Sequence, residues 1–375
     1  MSHKNDRINR NQLLAAAFVG LLSPMIRRTP TVMVRSAGRA SWIAPLAAIP
    51  VLLLLTLLLK LLFRTKQEGE GLGEIILKAL GGTLGRALLM LYALWALFYA
   101  GFLLSSGGER LASTVYPYST AELFIIVTAA LALIAALGRV CVLARSAAVF
   151  RPLLMGVFIV VLVFIMPDVR SENLLPVTGS DTLPIICAAL PVVNTGGVFI
   201  YLSFFERNVN GPVKALNIVP WLIAYAVISC LLCITTVGVY GAELIANTPN
   251  PFFIMTRGVS IFGTFERLEA LIIAVWLLAD FVLISALLLI ARLCIMLVFN
   301  MKPDAVSHGS LFSMKNGRWI VWICALVAAA AALFMTPDTM SIASRFTAIA
   351  PALHAVFAFA LPVTVLIAGR IRKKL

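Results

Sequence analysis

Charged residues are scarce in this sequence, and acidic residues are the scarcest. Asp, Glu, Lys and Arg make up 12% of the 375 residues, whereas a soluble domain has about 25%. Only 16 residues are acidic, against 30 that are basic. Such a chain has too few charges to cover a folded surface with water-compatible side chains. The composition therefore excludes an ordinary soluble globular protein.

Residues suited to metal or redox chemistry are also few, with three histidines and six cysteines. The cysteines lie in or beside apolar segments, where cysteine packs as a small side chain, and Cys230-Leu-Leu-Cys233 is a weak CxxC match. His354 lies in the last apolar segment, where a proton relay and hydrogen-bonded packing both remain open. Neither a nucleophile–base pair nor metal-ligand spacing is present, so we predict no enzyme activity and no cofactor.

Apolar residues are abundant instead. They make up 61% of the chain, and the mean hydropathy is +1.02. Runs of about 20 apolar residues recur, each long enough to cross hydrocarbon as a helix, and the alternation of a membrane β-strand is absent. We predict an all-α integral membrane protein with one transmembrane domain and ten spans. The predicted spans are residues 12–34, 42–63, 83–106, 121–137, 147–166, 184–205, 215–240, 264–298, 317–335 and 347–369.

Lysine and arginine residues indicate the orientation in the bilayer. With ten spans both termini lie on one side, and most basic residues fall in the terminal tails or in the loops of that side. The positive-inside rule therefore predicts cytoplasmic termini. The net charge of +14 favours attraction to anionic lipid. We predict no nucleic-acid binding, because no soluble basic face is present to bind a nucleic acid.

A polar interruption occurs in the sixth span, where residues 191–199 are "PVVNTGGVF". Asn194 and Thr195 bring polar side chains to the middle of an apolar run, and Gly196 and Gly197 weaken the helix. Unwound backbone survives inside a bilayer only where it is buried in protein or faces a wet cavity. The pattern indicates a broken helix with backbone groups that face a pocket.

The first span has a comparable interruption in "LLSPMIRRTP", residues 21–30, at Ser23 and Pro24. Spans one and six are equivalent members of two five-span halves, residues 1–180 and 181–375. Paired interruptions at equivalent positions indicate an inverted repeat of the transporter type, with discontinuous helices 1 and 6. The alternative is an ordinary kink filled by packing.

Charged residues at membrane depth are candidates for function. Asp280 in the eighth span is a candidate proton acceptor, cation ligand or partner of a substrate ammonium. The alternative is a structural ion pair, for which Arg27 and Arg28 are the candidate partners. Ser285 is a candidate cation ligand, although a serine in a membrane helix more often bonds back to its own helix.

Tyr92 and Tyr99 lie two helical turns apart in the third span and therefore share a face. They are candidates for an aromatic wall of the pocket, and core packing is the alternative.

Several stretches resemble, in order, the spore germination permease family, the B subunit of nutrient germinant receptors in the amino acid–polyamine–organocation superfamily. The resemblance covers nearly the whole chain, and the string "FERLEALIIAVW" carries most of its specificity. The stretches are "AGRASWI" (37–43), "YPYSTAEL" (116–123), "GRVCVLARSAAVFRPL" (138–153), "NLLPV" (173–177) and "NPFFIMTRGVSIFGTFERLEALIIAVW" (250–276).

The resemblance implies a five-plus-five permease fold in the inner membrane of the spore, with germinant receptor A and C subunits as partners. It implies that the chain senses a small nutrient, commonly an amino acid, and triggers germination. The alternatives are a cation-coupled amino-acid transporter and a structural scaffold. By position, the implied ligand pocket comprises Ser23, Pro24, Met25, Tyr92, Tyr99, Val193, Asn194, Thr195, Gly196, Gly197 and Asp280. The ion or salt-bridge candidates are Arg27, Arg28, Asp280 and Ser285.

Overall fold

The computed structural model describes residues 7–67, 69–114, 116, 118–209, 217–248, 250–257, 268–301, 317–336 and 352–374. Nearly all of these residues are helical, and the β-structure among them is an isolated bridge between Ile8 and Val209. The helices of the first half are α1 (Arg10–Ala37), α2 (Ala44–Ala47), α3 (Ile49–Leu62), α4 (Leu72–Leu80), α5 (Gly82–Thr114), α6 (Ala121–Leu137) and α7 (Val140–Ile165).

The second half continues the helical pattern with α8 (Thr182–Gly196), α9 (Val198–Leu202), α10 (Val219–Tyr240), α11 (Ala242–Asn247), α12 (Pro251–Arg257), α13 (Leu268–Val298), α14 (Arg318–Met335) and α15 (Leu361–Ile371). A 3₁₀ segment, Ser203–Asn208, continues α9, and we call α8, α9 and this segment helix six. A π-helix, Val356–Ala360, immediately precedes α15.

Each of the ten predicted spans coincides with helical residues, apart from single turn residues such as Ala48 and Gly197 and from positions outside the described ranges. Within the described ranges, eight helical stretches are long and apolar enough to cross a bilayer. Two predicted spans account for the difference. The first is α1, whose apolar sequence is interrupted by Arg27 and Arg28, and the fourth is α6, which has only 17 residues. The predicted all-helical membrane fold is confirmed.

α13 lies at the centre of the bundle and packs against α1 and α5. Of its most apolar stretch, 83% is buried by protein, compared with 28% for α7. Large apolar side chains such as Leu54 on α3, Leu123 on α6 and Val163 on α7 are exposed. The exposed apolar helices therefore form the surface that lipid covers, and the central helices are where polar groups are shielded from it.

Helix six is interrupted at Gly197 by one residue only, and the backbone there keeps helical angles (φ −58°, ψ −17°) rather than unwinding. α8 ends at Gly196, α9 begins at Val198, and the Gly197 N–H donates to the carbonyls of Val193 and Asn194 at 3.1 and 3.0 Å. A Cβ atom at Gly197 would lie 2.6 Å from the Cβ atom of Ala358, so a side chain would push the π-helix away. The interruption coincides with a close approach of two backbones that only glycine permits.

α1 differs from its prediction, because the helix continues from Arg10 to Ala37 through Pro24 and Pro30. The helix does not unwind at Ser23. Because Pro24 and Pro30 have no backbone N–H, the carbonyls of Gly20 and Ile26 lose their usual helical hydrogen-bond donors. The surrounding helices hold α1 in shape, since Leu21, Leu22, Ile26 and most of their neighbours are fully buried. Tertiary packing outweighs the helix-breaking tendency of the two prolines.

The direction of the central helices follows from contacts near their ends. Arg110, near the end of α5, pairs with Asp280 in the first half of α13. A Cβ atom at Gly73, which lies before α5, would come within 2.5 Å of the Cδ1 atom of Leu297 at the end of α13. α5 and α13 therefore run antiparallel.

Two ion pairs close the end of the bundle at which α5 begins. The Nζ atom of Lys66 lies 3.0 Å from the Oε2 atom of Glu206 and also donates to the Glu206 carbonyl at 2.7 Å. Glu74 on α4 pairs with Arg207. Adjacent residues of helix six thus bind opposite charges in the segment between α3 and α5.

The start of α1 joins the same end of the bundle. The Ile8 N–H donates to the Asn208 carbonyl at 2.9 Å, beside the bridge to Val209. α1 therefore runs parallel to α5 and antiparallel to α13.

Candidate functional site

Aromatic side chains surround His354 at the interruption of helix six. Between ring centroids, the imidazole lies 5.1 Å from Tyr201, 5.5 Å from Tyr99 and 6.3 Å from Trp95. Trp95 stacks on Phe357 at 5.0 Å, and its Nε1–H donates to the Tyr201 hydroxyl at 2.9 Å. These four aromatic residues, contributed by α5, α9 and the π-helix, form what we call the aromatic cluster.

The imidazole of His354 is buried and incompletely hydrogen-bonded. The residue is 6% exposed, and its Nε2 atom has no hydrogen-bond partner among the described residues. The ring lies against the backbone of Asn194, and a Cβ atom at Gly197 would lie 3.2 Å from Nε2. Because buried polar atoms are nearly always hydrogen-bonded, Nε2 marks a position for which the described residues supply no partner.

The predicted aromatic wall is present, but its two tyrosines differ in their contacts. The Tyr92 hydroxyl donates to the Phe357 carbonyl at 2.8 Å and so ties α5 to the π-helix. Tyr92 also packs edge-on against Phe204 and Phe357, each at 5.3 Å. Tyr99 lies beside His354. Tyr92 is therefore a packing residue, and Tyr99 is the tyrosine of the pair that borders the interruption.

Asp280 forms a buried ion pair with Arg110 of α5. Both side chains are at most 4% exposed, and the Arg110 guanidinium carbon lies 4.6 Å from the centroid of the Trp276 ring. The Oδ1 atom of Asp280 has no hydrogen-bond partner among the described residues. Two charges deep in the bundle are thus compensated by each other and by an aromatic face.

The structure gives Asp280 a partner that the sequence did not suggest, Arg110. Arg27 donates instead to the Ser106 hydroxyl, and its guanidinium carbon lies 5.4 Å from the centroid of the Phe102 ring. The side chain of Arg28 lies outside the described residues. α5 supplies the partner of Asp280 because its outer turns extend alongside α13.

Tyr99 connects the aromatic cluster to the buried charges. It borders His354 on one side and lies within electrostatic range of Arg27 and Asp280 on the other. The helix-six interruption and the charged groups therefore belong to one continuous region inside the bundle.

Two serine hydroxyls on α1 and α13 have no hydrogen-bond partner among the described residues. Ser23 and Ser285 are both fully buried. α1 and α13 approach closely near them, since a Cβ atom at Gly20 would lie 3.4 Å from the Cβ atom of Leu283. Gly20 is also the residue whose carbonyl Pro24 leaves without a helical donor. Oxygen atoms of this kind suit a hard cation.

The remaining predicted site residues divide into packing and polar groups. Met25, Val193 and Gly196 are buried, and a Cβ atom at Gly196 would lie 2.6 Å from the Cδ2 atom of Leu52. The Thr195 hydroxyl bonds back to the Pro191 carbonyl at 2.9 Å. The Gly197 N–H is already engaged, so in this structure it does not offer a carboxylate a free donor.

The structure adds Arg110, Trp95 and Tyr201 to the region. Arg110 lies four residues beyond the predicted end of the third span, but α5 continues to Thr114 and carries it into the bundle. Trp95 had a detectable signal, because it lies three residues after Tyr92 and four before Tyr99, on the face that they share. Tyr201 follows the interruption by one helical turn and had no comparable signal.

The architecture is that of inverted-repeat membrane transporters. Mhp1, a nucleobase–cation–symport-1 family transporter, superimposes with a TM-score of 0.62 at 15% identity, covering 96% of this chain and 78% of Mhp1. MhsT, solved in complex with L-phenylalanine, gives a TM-score of 0.64 at 12% identity over 90% of this chain and 80% of MhsT. A Na⁺-coupled sialic acid symporter gives 0.59 at 13% identity, over 95% and 80% of the two chains. These similarities show the fold.

The sequence identifies the family. Residues 7–342 match the family model of spore germination proteins, and the chain belongs to that family. No curated protein matches the chain. Family and fold are those of permeases or transporters rather than enzymes, and they support a membrane protein with a nutrient-binding or transport role.

Proposed function

We propose that this chain is the membrane subunit of a spore nutrient germinant receptor, which binds a small polar nutrient, an amino acid, and triggers germination. The observation that carries the proposal is the set of buried polar atoms without a described partner in the region around the helix-six interruption. These atoms are the Ser23 hydroxyl, Asp280 Oδ1 and His354 Nε2. A bound polar ligand would supply the hydrogen bonds that the described residues do not.

Ligand binding would act by favouring one arrangement of the bundle. A ligand shifts an equilibrium between two conformations only as far as it contacts one of them better. Helix six contacts the aromatic cluster at its interruption and the ion pairs of Lys66 and Glu74 at its far end. A ligand that moves the interruption would therefore displace the far end, where the A and C subunits of the receptor would detect the change.

The proposed location is the inner membrane of the spore, with both termini in the cytoplasm. The distribution of lysine and arginine supports this orientation. The end of the bundle at which α1 begins, with its two ion pairs, would then face the cytoplasm.

A cation-coupled amino-acid transporter is the second candidate. It is favoured by oxygen atoms between α1 and α13, namely the Gly20 carbonyl and the hydroxyls of Ser23 and Ser285, for which no described residue supplies a hydrogen bond. A similar fold in a Na⁺-coupled symporter supports the same reading.

Ligand binding and flux measurements distinguish the candidates. Purified protein is screened by thermal shift against amino acids, sugars and nucleosides, and uptake of the best labelled ligand into proteoliposomes is then measured under a Na⁺ or proton gradient. We expect stabilisation by an amino acid without accumulation in the vesicles. Gradient-driven accumulation would establish the transporter instead. Absence of stabilisation by every compound would contradict both candidates and favour a scaffold.

A further inference from the structure

His354 lies where aromatic rings meet the carbonyl end of α8. Trp95, Tyr99 and Tyr201 border the ring in edge-on or tilted arrangements, and aromatic rings attract cations that lie over their faces. The backbone of Asn194 belongs to the last turn of α8, where helix carbonyls concentrate negative partial charge. A neutral imidazole adds a lone pair that accepts a hydrogen bond.

The Nε2 atom is buried beside the interruption and has no hydrogen-bond partner in the part of the chain that the structure describes. Glycine at position 197 lets helix six pack closely against the imidazole, since a Cβ atom there would lie 3.2 Å from Nε2 and 2.6 Å from the Cβ atom of Ala358. If the imidazole served packing alone, Nε2 would stay buried without a hydrogen bond from any described residue, which is energetically unfavourable. A ligand donor at this point removes that cost.

Asp280 is the residue that the sequence offers for a ligand ammonium, but its charge is already balanced by Arg110. An ammonium that approached Asp280 would therefore compete with a guanidinium bound in place. At His354 the acceptor is a neutral imidazole, so a ligand ammonium would not have to displace a bound cation.

From these contacts we infer that His354 binds the ligand directly through Nε2, and that the ligand group it receives is a primary ammonium. The inference rests on the proposed function, because it assigns one end of the ligand in that same site. It makes His354 and the rings of Trp95, Tyr99 and Tyr201 the residues that select amines over acids.

The test compares ligand analogues with His354 variants of the full chain in detergent. The probes are the amino acid that stabilises the unmodified chain most, the amine obtained by removing its carboxylate, and the acid obtained by removing its ammonium. We expect the unmodified chain to bind the amine and not the acid. His354→Phe, which fits among the aromatic rings, should weaken binding of the amino acid and of the amine at least tenfold. His354→Gln, whose amide oxygen accepts a hydrogen bond, should retain part of it.

Tyr92→Phe is the matched control. It removes a hydroxyl that donates to the Phe357 carbonyl in the same cluster but that faces no open polar position. Its affinity for the amino acid should stay within twofold of the unmodified chain. Equal affinity of His354→Phe and the unmodified chain would overturn the inference, as would binding of the acid in place of the amine. If no amino acid stabilises the unmodified chain, the proposed function itself is wrong. That outcome is distinguishable from the two results that would overturn only the inference about His354.

Discussion

At the scale of single residues, the buried pair of Arg110 and Asp280 shows what a sequence can and cannot specify. An acid at membrane depth is recognisable from its apolar neighbours, and Asp280 was recognised in this way. Its partner was not, because Arg110 is 170 positions distant and lies beyond the predicted end of its span. Pairing across helices depends on how far each helix extends and which face it turns inward.

Asp280→Asn should lower the stability of the chain, because it removes the carboxylate with which the buried Arg110 side chain pairs. Loss of one partner of such a pair costs about 3–5 kcal/mol. Arg110→Gln combined with Asp280→Asn should recover part of the loss, since no buried charge remains unbalanced. Thermal unfolding in detergent measures both effects. An unchanged midpoint in the single variant would show that the pair contributes nothing to stability.

At the scale of secondary structure, adjacent glycines were a better guide than proline. The interruption of helix six follows from Gly196 and Gly197, and glycine at 197 is further required by the contact with Ala358. Proline in α1 gave the wrong expectation, because burial of its neighbours keeps the helix continuous. The π-helix Val356–Ala360 has no marker in its "VFAFA" sequence, since all of its residues are ordinary helix formers at that position.

Gly197→Ala tests the contact between helix six and the π-helix. The added methyl group would lie 2.6 Å from the Cβ atom of Ala358 and 2.9 Å from the Asn194 carbonyl oxygen, so one element must shift. We expect a loss of about 1–3 kcal/mol in stability, as in other overpacked cores, together with weaker ligand binding. Differential scanning fluorimetry and ligand titration measure the two quantities.

Gly156→Ala on α7 is the corresponding control. A Cβ atom at Gly156 would meet no atom within 4 Å, and the residue lies inside a helix. This variant should gain about 0.5–1 kcal/mol in stability. Comparable losses in both glycine variants would contradict the role of the contact at residue 197.

At the scale of the whole molecule, composition and hydropathy were sufficient to predict an all-helical membrane protein. Spacing of apolar runs located the helices, but it could not show which helix is central. α13 is enclosed because its apolar surface continues around the whole helix and because small residues on α1 let it approach. The closure of one end of the bundle by Lys66, Glu74, Glu206 and Arg207 was equally hidden, because the partners come from distant segments.

Charge reversal tests this closure. Lys66→Glu places two carboxylates together beside helix six and should lower stability and alter the ligand response. Adding Glu206→Lys restores opposite charges and should recover part of both. Recovery will be incomplete, since Lys66 also donates to the Glu206 carbonyl, a bond that no exchanged pair reproduces. If the double variant were no better than the single one, attraction between these side chains would not hold the closure.

The stacking of Trp95 on Phe357 gives the site a built-in optical probe. Indole emission responds to the polarity and hydrogen bonding of its surroundings, and the Nε1–H of Trp95 is engaged with Tyr201 beside the interruption. Occupancy of the region would therefore change the intrinsic fluorescence of the protein. Subtracting the spectrum of a Trp95→Phe variant isolates this signal from the other five tryptophans without any attached dye.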